Sequence, residues 1–137
     1  MTEGIRILIA DDQPRARQSL KALLRTWPVI KTIREATNGQ EALALIEESP
    51  PDVVLMGIRL PEMPARAHSA SVDGLEATRR IKARWPEVQV IVLSVYNEHM
   101  TDALAAGASA FVCKCEPPKV LLKTLEQVMS QLHPPAE

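Results

Sequence analysis

A chain of 137 residues has room for one globular domain with an enclosed core, and too little for a second. Sixteen basic against seventeen acidic side chains leave a formal charge of -1, so nothing draws the chain as a whole toward nucleic acid or an anionic lipid surface. The apolar runs are far too short to cross a bilayer, no signal peptide opens the chain, and 46% hydrophobic with only 3% aromatic residues describes a globular protein with an aliphatic core.

Ile5 to Ala10 is short, rich in β-branched residues and almost continuously apolar, the pattern of a central parallel strand covered on both faces. Pro14 opens a helix at its tolerated first-turn position. Leu20, Leu23, Leu24 and Trp27 then recur at i, i+3, i+4 and i+7, an apolar stripe that Pro28 brings to an end. Ile30 to Ala36 reads as a second strand, Asn38-Gly39 as a turn, and Glu41 to Glu48 as a helix that buries Ala42, Leu43 and Ile46. Val53 to Met56 is the third strand. After an irregular stretch, Leu75 to Trp85 carries Leu75, Thr78, Ile81 and Trp85 on one helical side, and Pro86 closes it before a fourth strand, Gln89 to Ser94. Asn97 is placed to cap a short helix that ends near Gly107. Ala110 to Cys113 is the fifth strand, and a last helix from about Pro118 turns Leu121, Leu125, Val128 and Leu132 inward. The domain is expected over residues 1–132. The tail His133 to Glu137 is polar and proline-rich, either a natural terminus or the start of a linker.

Strict alternation of strand and helix predicts an α/β fold, a doubly wound five-stranded parallel sheet in a three-layer sandwich, because each parallel connection needs a right-handed helical crossover. In such sheets the site lies outside the carboxyl ends of the strands, where strand order reverses. Asp11 and Asp12 directly follow the first strand, and two adjacent carboxylates repel unless a hard cation such as magnesium, or a lysine, neutralises them. An acidic helix start accounts for the pair equally well. Ser94 ends the fourth strand and Lys114 follows the fifth, so a hydroxyl, an ammonium and two carboxylates are expected at one rim. Taken singly, Ser94 reads as a loop cap and Lys114 as a counter-charge; together, in that strand order, they favour a site. Cys113 and Cys115 would share one face of a strand, but no companion Cys or His cluster completes a metal site, and they are expected to be reduced thiols of a cytoplasmic protein.

Six segments carry a family resemblance: Ile7-Leu8-Ile9-Ala10-Asp11-Asp12, Ala36-Thr37-Asn38-Gly39-Gln40-Glu41-Ala42, Pro51-Asp52-Val53-Val54-Leu55-Met56, Asp73-Gly74-Leu75-Glu76-Ala77-Thr78, Val92-Leu93-Ser94, and Gly107 through Lys114. In combination they span nearly the whole chain, which resembles the receiver domain of two-component response regulators, especially the branch that often precedes a helix-turn-helix output domain. The resemblance implies a flavodoxin-like sheet, Asp11 and Asp12 as the acidic pair that binds magnesium, Ser94 as the hydroxyl that senses a phosphoryl group, Lys114 as the phosphate-contacting lysine and Phe111 as the aromatic switch. It also implies that the main-chain carbonyl of Arg59 meets the metal. A partner-binding face is implied on the fourth helix, fifth strand and fifth helix, near Tyr96, Phe111 and Lys119.

Two departures stand out against that family. Met56 should be followed by the phosphoacceptor aspartate, and the residue there is Gly57, which has no carboxylate nucleophile and removes a metal ligand. Its loss is expected to weaken magnesium binding and to leave Lys114 balanced by Asp11 and Asp12. Residues 64–72, including His68, intervene between Pro61-Glu62-Met63 and Asp73-Gly74 and read as an inserted surface loop, with a lid or partner contact as the alternative.

The leading expectation is a non-enzymatic signalling module that binds a protein partner, whether a histidine kinase, an output domain or another regulator, without phosphorylation. A homodimer stays open, and neither nucleic acid nor membrane is expected as a partner. The main rival is an ordinary phospho-accepting transcriptional regulator in which Gly57 is a substitution. Displacement of the chemistry to Glu62 or Asp73 is weaker, because phosphoryl transfer needs an accurately held nucleophile. A flavin- or nucleotide-binding enzyme on the same sheet would need a phosphate cradle where Asp11-Asp12-Gln13-Pro14 offers carboxylates. An aspartyl-phosphate hydrolase would need a D-x-D spacing that adjacent aspartates do not supply.

Overall fold

The computed structural model describes residues 4–58 and 74–132, the last two without their side chains. The inserted loop at 64–72 and its His68, the Arg59 carbonyl, Glu62, Asp73 and the tail at 133–137 lie outside the described residues.

The elements run β1 (Ile5–Ala10), α1 (Pro14–Leu24), β2 (Ile30–Ala36), α2 (Gly39–Glu48), β3 (Val53–Gly57), α3 (Gly74–Arg84), β4 (Gln89–Ser94), a 3-10 turn (Asn97–His99), α4 (Met100–Ala105), β5 (Ala110–Cys113) and α5 (Pro118–Leu132). The five strands form one parallel sheet in the order β2-β1-β3-β4-β5. The order reverses at β1, between β2 and β3, which is the switch point where such sheets place their ligands.

Side chains alternate across the strands, so one sequence feeds two cores. Ile7, Ile9, Val53, Leu55, Ile91 and Leu93 face one side with Leu24 of α1 and Leu121, Leu125 and Val128 of α5. Leu8, Ala10, Val54, Met56, Val90 and Val92 face the other, against Ala42 and Ile46 of α2, Ala77 and Ile81 of α3, and Ala103 of α4. Each fully buried Leu or Ile contributes about 1.5–3 kcal/mol relative to an exposed one. These two layers hold the strand ends in a common register.

The helix ends differ from the sequence pattern for local reasons. Helix α1 stops at Leu24, short of Trp27, because Pro28 disfavours helical backbone before it. The chain tightens instead through Thr26 and Trp27 amides that donate to the Leu23 and Leu24 carbonyls at 3.1 and 3.0 Å. Helix α2 begins at Gly39, since Asn38 is its cap and not a free turn: the Glu41 amide donates to Asn38 Oδ1 at 2.8 Å. Asn97 does not cap α4. It opens the 3-10 turn, and the helix proper starts at Met100. Gly107, at φ 105°, closes α4 in the left-handed region, with the Ala108 amide donating to the Ala103 carbonyl at 3.1 Å and the Gly107 amide to Leu104 at 3.0 Å.

The thiol expectation is overturned: Cys113 and Cys115 are joined in a disulfide. The strand ends at Cys113, and the Glu116 amide donating to the Cys113 carbonyl at 3.1 Å folds the next residues into a turn. Cys115 therefore leaves the strand and comes back against Cys113.

Candidate functional site

Asp11 leaves β1 at the switch point and is 5% exposed. Its amide remains in the sheet by donating to the Ala36 carbonyl at 3.0 Å, which fixes the direction of its side chain. Both carboxylate oxygens are engaged: the Gln13 amide donates to Oδ1 at 2.9 Å, and Lys114 Nζ donates to Oδ2 at 2.8 Å. Arg17, one turn into α1, donates from Nη1 to the Asp11 carbonyl at 2.7 Å and from Nε to Glu35 Oε1 at 3.0 Å. Arg17 and Lys21 together hold the Glu35 carboxyl below its ordinary range, the Lys21 hydrogen bond being the largest cause. Asp12 is exposed beside Asp11.

Lys114 enters from beyond β5. Its amide donates to the Ser94 carbonyl at 2.7 Å, so the last residue of β4 aims the lysine at Asp11. With Asp11 nearly buried and the Lys114 side chain one-quarter exposed, the pair is sheltered enough that breaking it leaves a poorly solvated charge.

Gly57 closes β3 beside Asp11. A Cβ added there would overlap Asp11 Oδ2 and sit 2.9 Å from Asp11 Cγ. The side-chain direction of position 57 thus points straight at the Asp11 carboxylate, which occupies the space a larger residue would need.

Ser94 is buried at the end of β4 and takes two contacts: the Tyr96 amide donates to its Oγ at 3.1 Å, and Oγ shares a hydrogen bond of 2.7 Å with His99 Nδ1. His99 is itself buried, with Tyr96 packed edge-on at 5.9 Å between ring centroids. Phe111 is half-buried against the core under α4, while Tyr96 and Lys119 are exposed. The rim therefore joins Asp11, Gly57 and Lys114 directly, Ser94 through its carbonyl, and leaves Phe111, Tyr96 and Lys119 at the margin toward α4 and α5. Sequence reasoning missed His99 and Arg17. His99 follows Ser94 by five residues and touches it only because the 3-10 turn brings the chain back; Arg17 has a legible signal, a cation one turn after an acidic strand end.

The fit to magnesium is poor with the side chains as they stand. A hard cation wants several oxygens, yet Asp11 spends its carboxylate on Lys114 and Gln13, and Gly57 offers no side-chain oxygen. Among the described residues, no group of three or more His, Cys, Asp or Glu side chains is arranged to hold a metal ion. Among them too, no helix is long and apolar enough to cross a membrane.

Comparison with known proteins agrees with this fold. The family model described as "Response regulator receiver domain" matches residues 7–126. The uncharacterized transcriptional regulatory protein YhcZ of Bacillus subtilis (strain 168) is 38% identical over 122 residues, covering 88% of this chain and 53% of its own length. The transcriptional regulatory protein DegU of Brevibacillus brevis is 32% identical over 135 residues, 95% of this chain and 53% of its own. This chain thus spans about half the length of the curated relatives it matches. Among solved structures, a two-component response regulator of the LuxR family from Aurantimonas sp. SI85-9A1 superposes with a TM-score of 0.80 at 28% identity, covering 93% of this chain and 86% of that one. By its sheet order, its rim of strand-end residues and this match over most of its length, the chain belongs to the response regulator receiver domain family.

Proposed function

We propose that this receiver signals without phosphorylation, with Gly57 standing at the phosphoacceptor position and the Asp11–Lys114 ion pair filling the phosphoryl seat. The observation that carries the reading is the direction of position 57, whose Cβ vector meets Asp11 Oδ2. Glycine supplies no oxygen to attack phosphorus, so no acyl phosphate forms there. In an ordinary receiver the added phosphoryl charge biases two conformations; here no phosphoryl charge is added, and the Asp11–Lys114 pair stands in its place. The module is non-enzymatic and binds magnesium weakly.

Its output is protein contact with a histidine kinase, an output domain or another regulator, through α4, β5 and α5. The relatives' names support a regulatory role, and their greater length supports an output region elsewhere in a complete protein. Val95, Tyr96, Met100 and Leu104 are exposed on that side, an apolar stripe suited to a partner. Neither nucleic acid nor membrane is a partner of this domain in this reading.

The test is an amide-resolved NMR titration with magnesium and beryllofluoride, a mimic of the phosphoryl group. The resonances of Ser94, Phe111 and Lys114 are expected to stay in place. Saturable shifts at those residues would overturn the proposal.

A further inference from the structure

The disulfide between Cys113 and Cys115 brackets Lys114, the cation on which the site depends. We propose that Cys113 and Cys115 form a reversible dithiol–disulfide pair that sets the position of Lys114, with a low-molecular-weight thiol disulfide as its oxidant.

Three features point to a switch and not to a structural staple. A cross-link stabilises mainly by restricting the unfolded chain, and does so least when the loop is short; a ring holding only Lys114 between its two cysteines restricts very little. One sulfur belongs to an exposed residue, Cys115, whereas Cys113 is 3% exposed, so an external thiol has a defined point of attack. The turn that the ring closes is also the one that positions Lys114. Its amide holds the Ser94 carbonyl at 2.7 Å and its Nζ holds Asp11 Oδ2 at 2.8 Å, while Cys113 Sγ lies 3.7 Å from the Val95 carbonyl oxygen. Opening the ring frees the main chain on both sides of the lysine, at the connection that leads into α5.

The chemistry balances by thiol–disulfide exchange. In the reduced chain the Cys115 thiolate attacks one sulfur of RS–SR, forming a mixed disulfide and releasing one thiolate. Cys113 then gives up its proton and attacks the Cys115 sulfur, closing the ring and releasing the second thiolate. Two protein thiols lose two electrons and two protons, and the small disulfide becomes two RSH. Reduction runs the same steps backwards, starting at the sulfur of Cys115.

The inference is independent of whether position 57 can be phosphorylated, and it is tested on the full chain. The protein is fully reduced, equilibrated with glutathione and glutathione disulfide at varied ratios, quenched, and its alkylatable thiols counted by mass, with amide NMR spectra of both end states. Oxidation is expected to remove both alkylation sites without a lasting glutathione adduct, and to shift the amides of Asp11, Ser94, Val95 and Tyr96 as well as the ring itself. Cys115→Ser, a change at an exposed position, is expected to leave one thiol and show none of the distant shifts on oxidation. Two thiols still alkylatable in excess glutathione disulfide would overturn the proposal, as would shifts confined to Cys113, Lys114 and Cys115.

Discussion

Gly57 and Asp11 divide one small volume between them, and the stability of the rim follows from how that volume is filled. Adding even a methyl group at Gly57 places a carbon against Asp11 Oδ2 and within 2.9 Å of Cγ, so the carboxylate must turn. Turning it breaks the bond to Lys114 or the one from the Gln13 amide, and the side chain has little solvent to replace either. Gly57→Ala is therefore expected to destabilise the fold by about 1–3 kcal/mol, the cost of an unmade hydrogen bond at a buried group. Urea denaturation of the two proteins measures this, and equal midpoints and slopes would show that the Asp11 carboxylate yields freely. Paired Asp11 and Lys114 could be expected from the sequence because each directly follows a strand. The overlap of position 57 with Asp11 could not, since it depends on a side-chain rotamer and not on spacing.

Helix ends show where the reading of elements succeeds and where local bonds override it. The apolar stripes place α1, α2, α3 and α5 on their correct faces, because burial of Leu24, Ile46, Ile81 and Leu125 dominates the energetics. Caps decide the termini, and at α2 the cap is reciprocal: the Glu41 amide donates to Asn38 Oδ1, while Glu41 Oε1 accepts from the Thr37 amide at 2.6 Å and the Thr37 hydroxyl at 2.9 Å. The Thr37 amide is the chief reason that the Glu41 carboxyl sits below its ordinary value of 4.5. A carboxyl whose pKa is lower in the folded than in the unfolded chain adds stability in full above the ordinary value, and loses it as the pH falls through the folded one. Glu41→Gln is expected to make stability less steeply dependent on pH below 4.5 while leaving the α2 fold intact. Thermal melts across that acid range check this, and parallel curves for the two proteins would remove the carboxylate from the account. At α4 the same logic fails from sequence, because Asn97 is a good cap residue in isolation, yet Tyr96 spends its amide on Ser94 and the chain takes a 3-10 turn first.

For the domain as a unit, legibility follows the range of the forces involved. Five apolar strands separated by amphipathic helices leave little freedom in how the sheet is wound, so the doubly wound parallel sheet and the rim that carries Asp11, Gly57, Ser94 and Lys114 could be read in advance, while the strand order is a finding of the structure. That rim joins Asp11 to a lysine 103 positions away in the chain. Contacts made by turns could not be read: the Cys113–Cys115 disulfide and the Ser94–His99 hydrogen bond both arise where the chain leaves a strand and doubles back. The central claim is that the rim keeps its charged walls but lacks an acceptor for phosphorus. Intact mass after incubation with magnesium and a small-molecule phosphodonor tests it most directly, on this chain and on Gly57→Asp side by side. No phosphoryl gain is expected on this chain and an alkali- and hydroxylamine-labile gain on Gly57→Asp; a phosphoryl gain on this chain would contradict the claim.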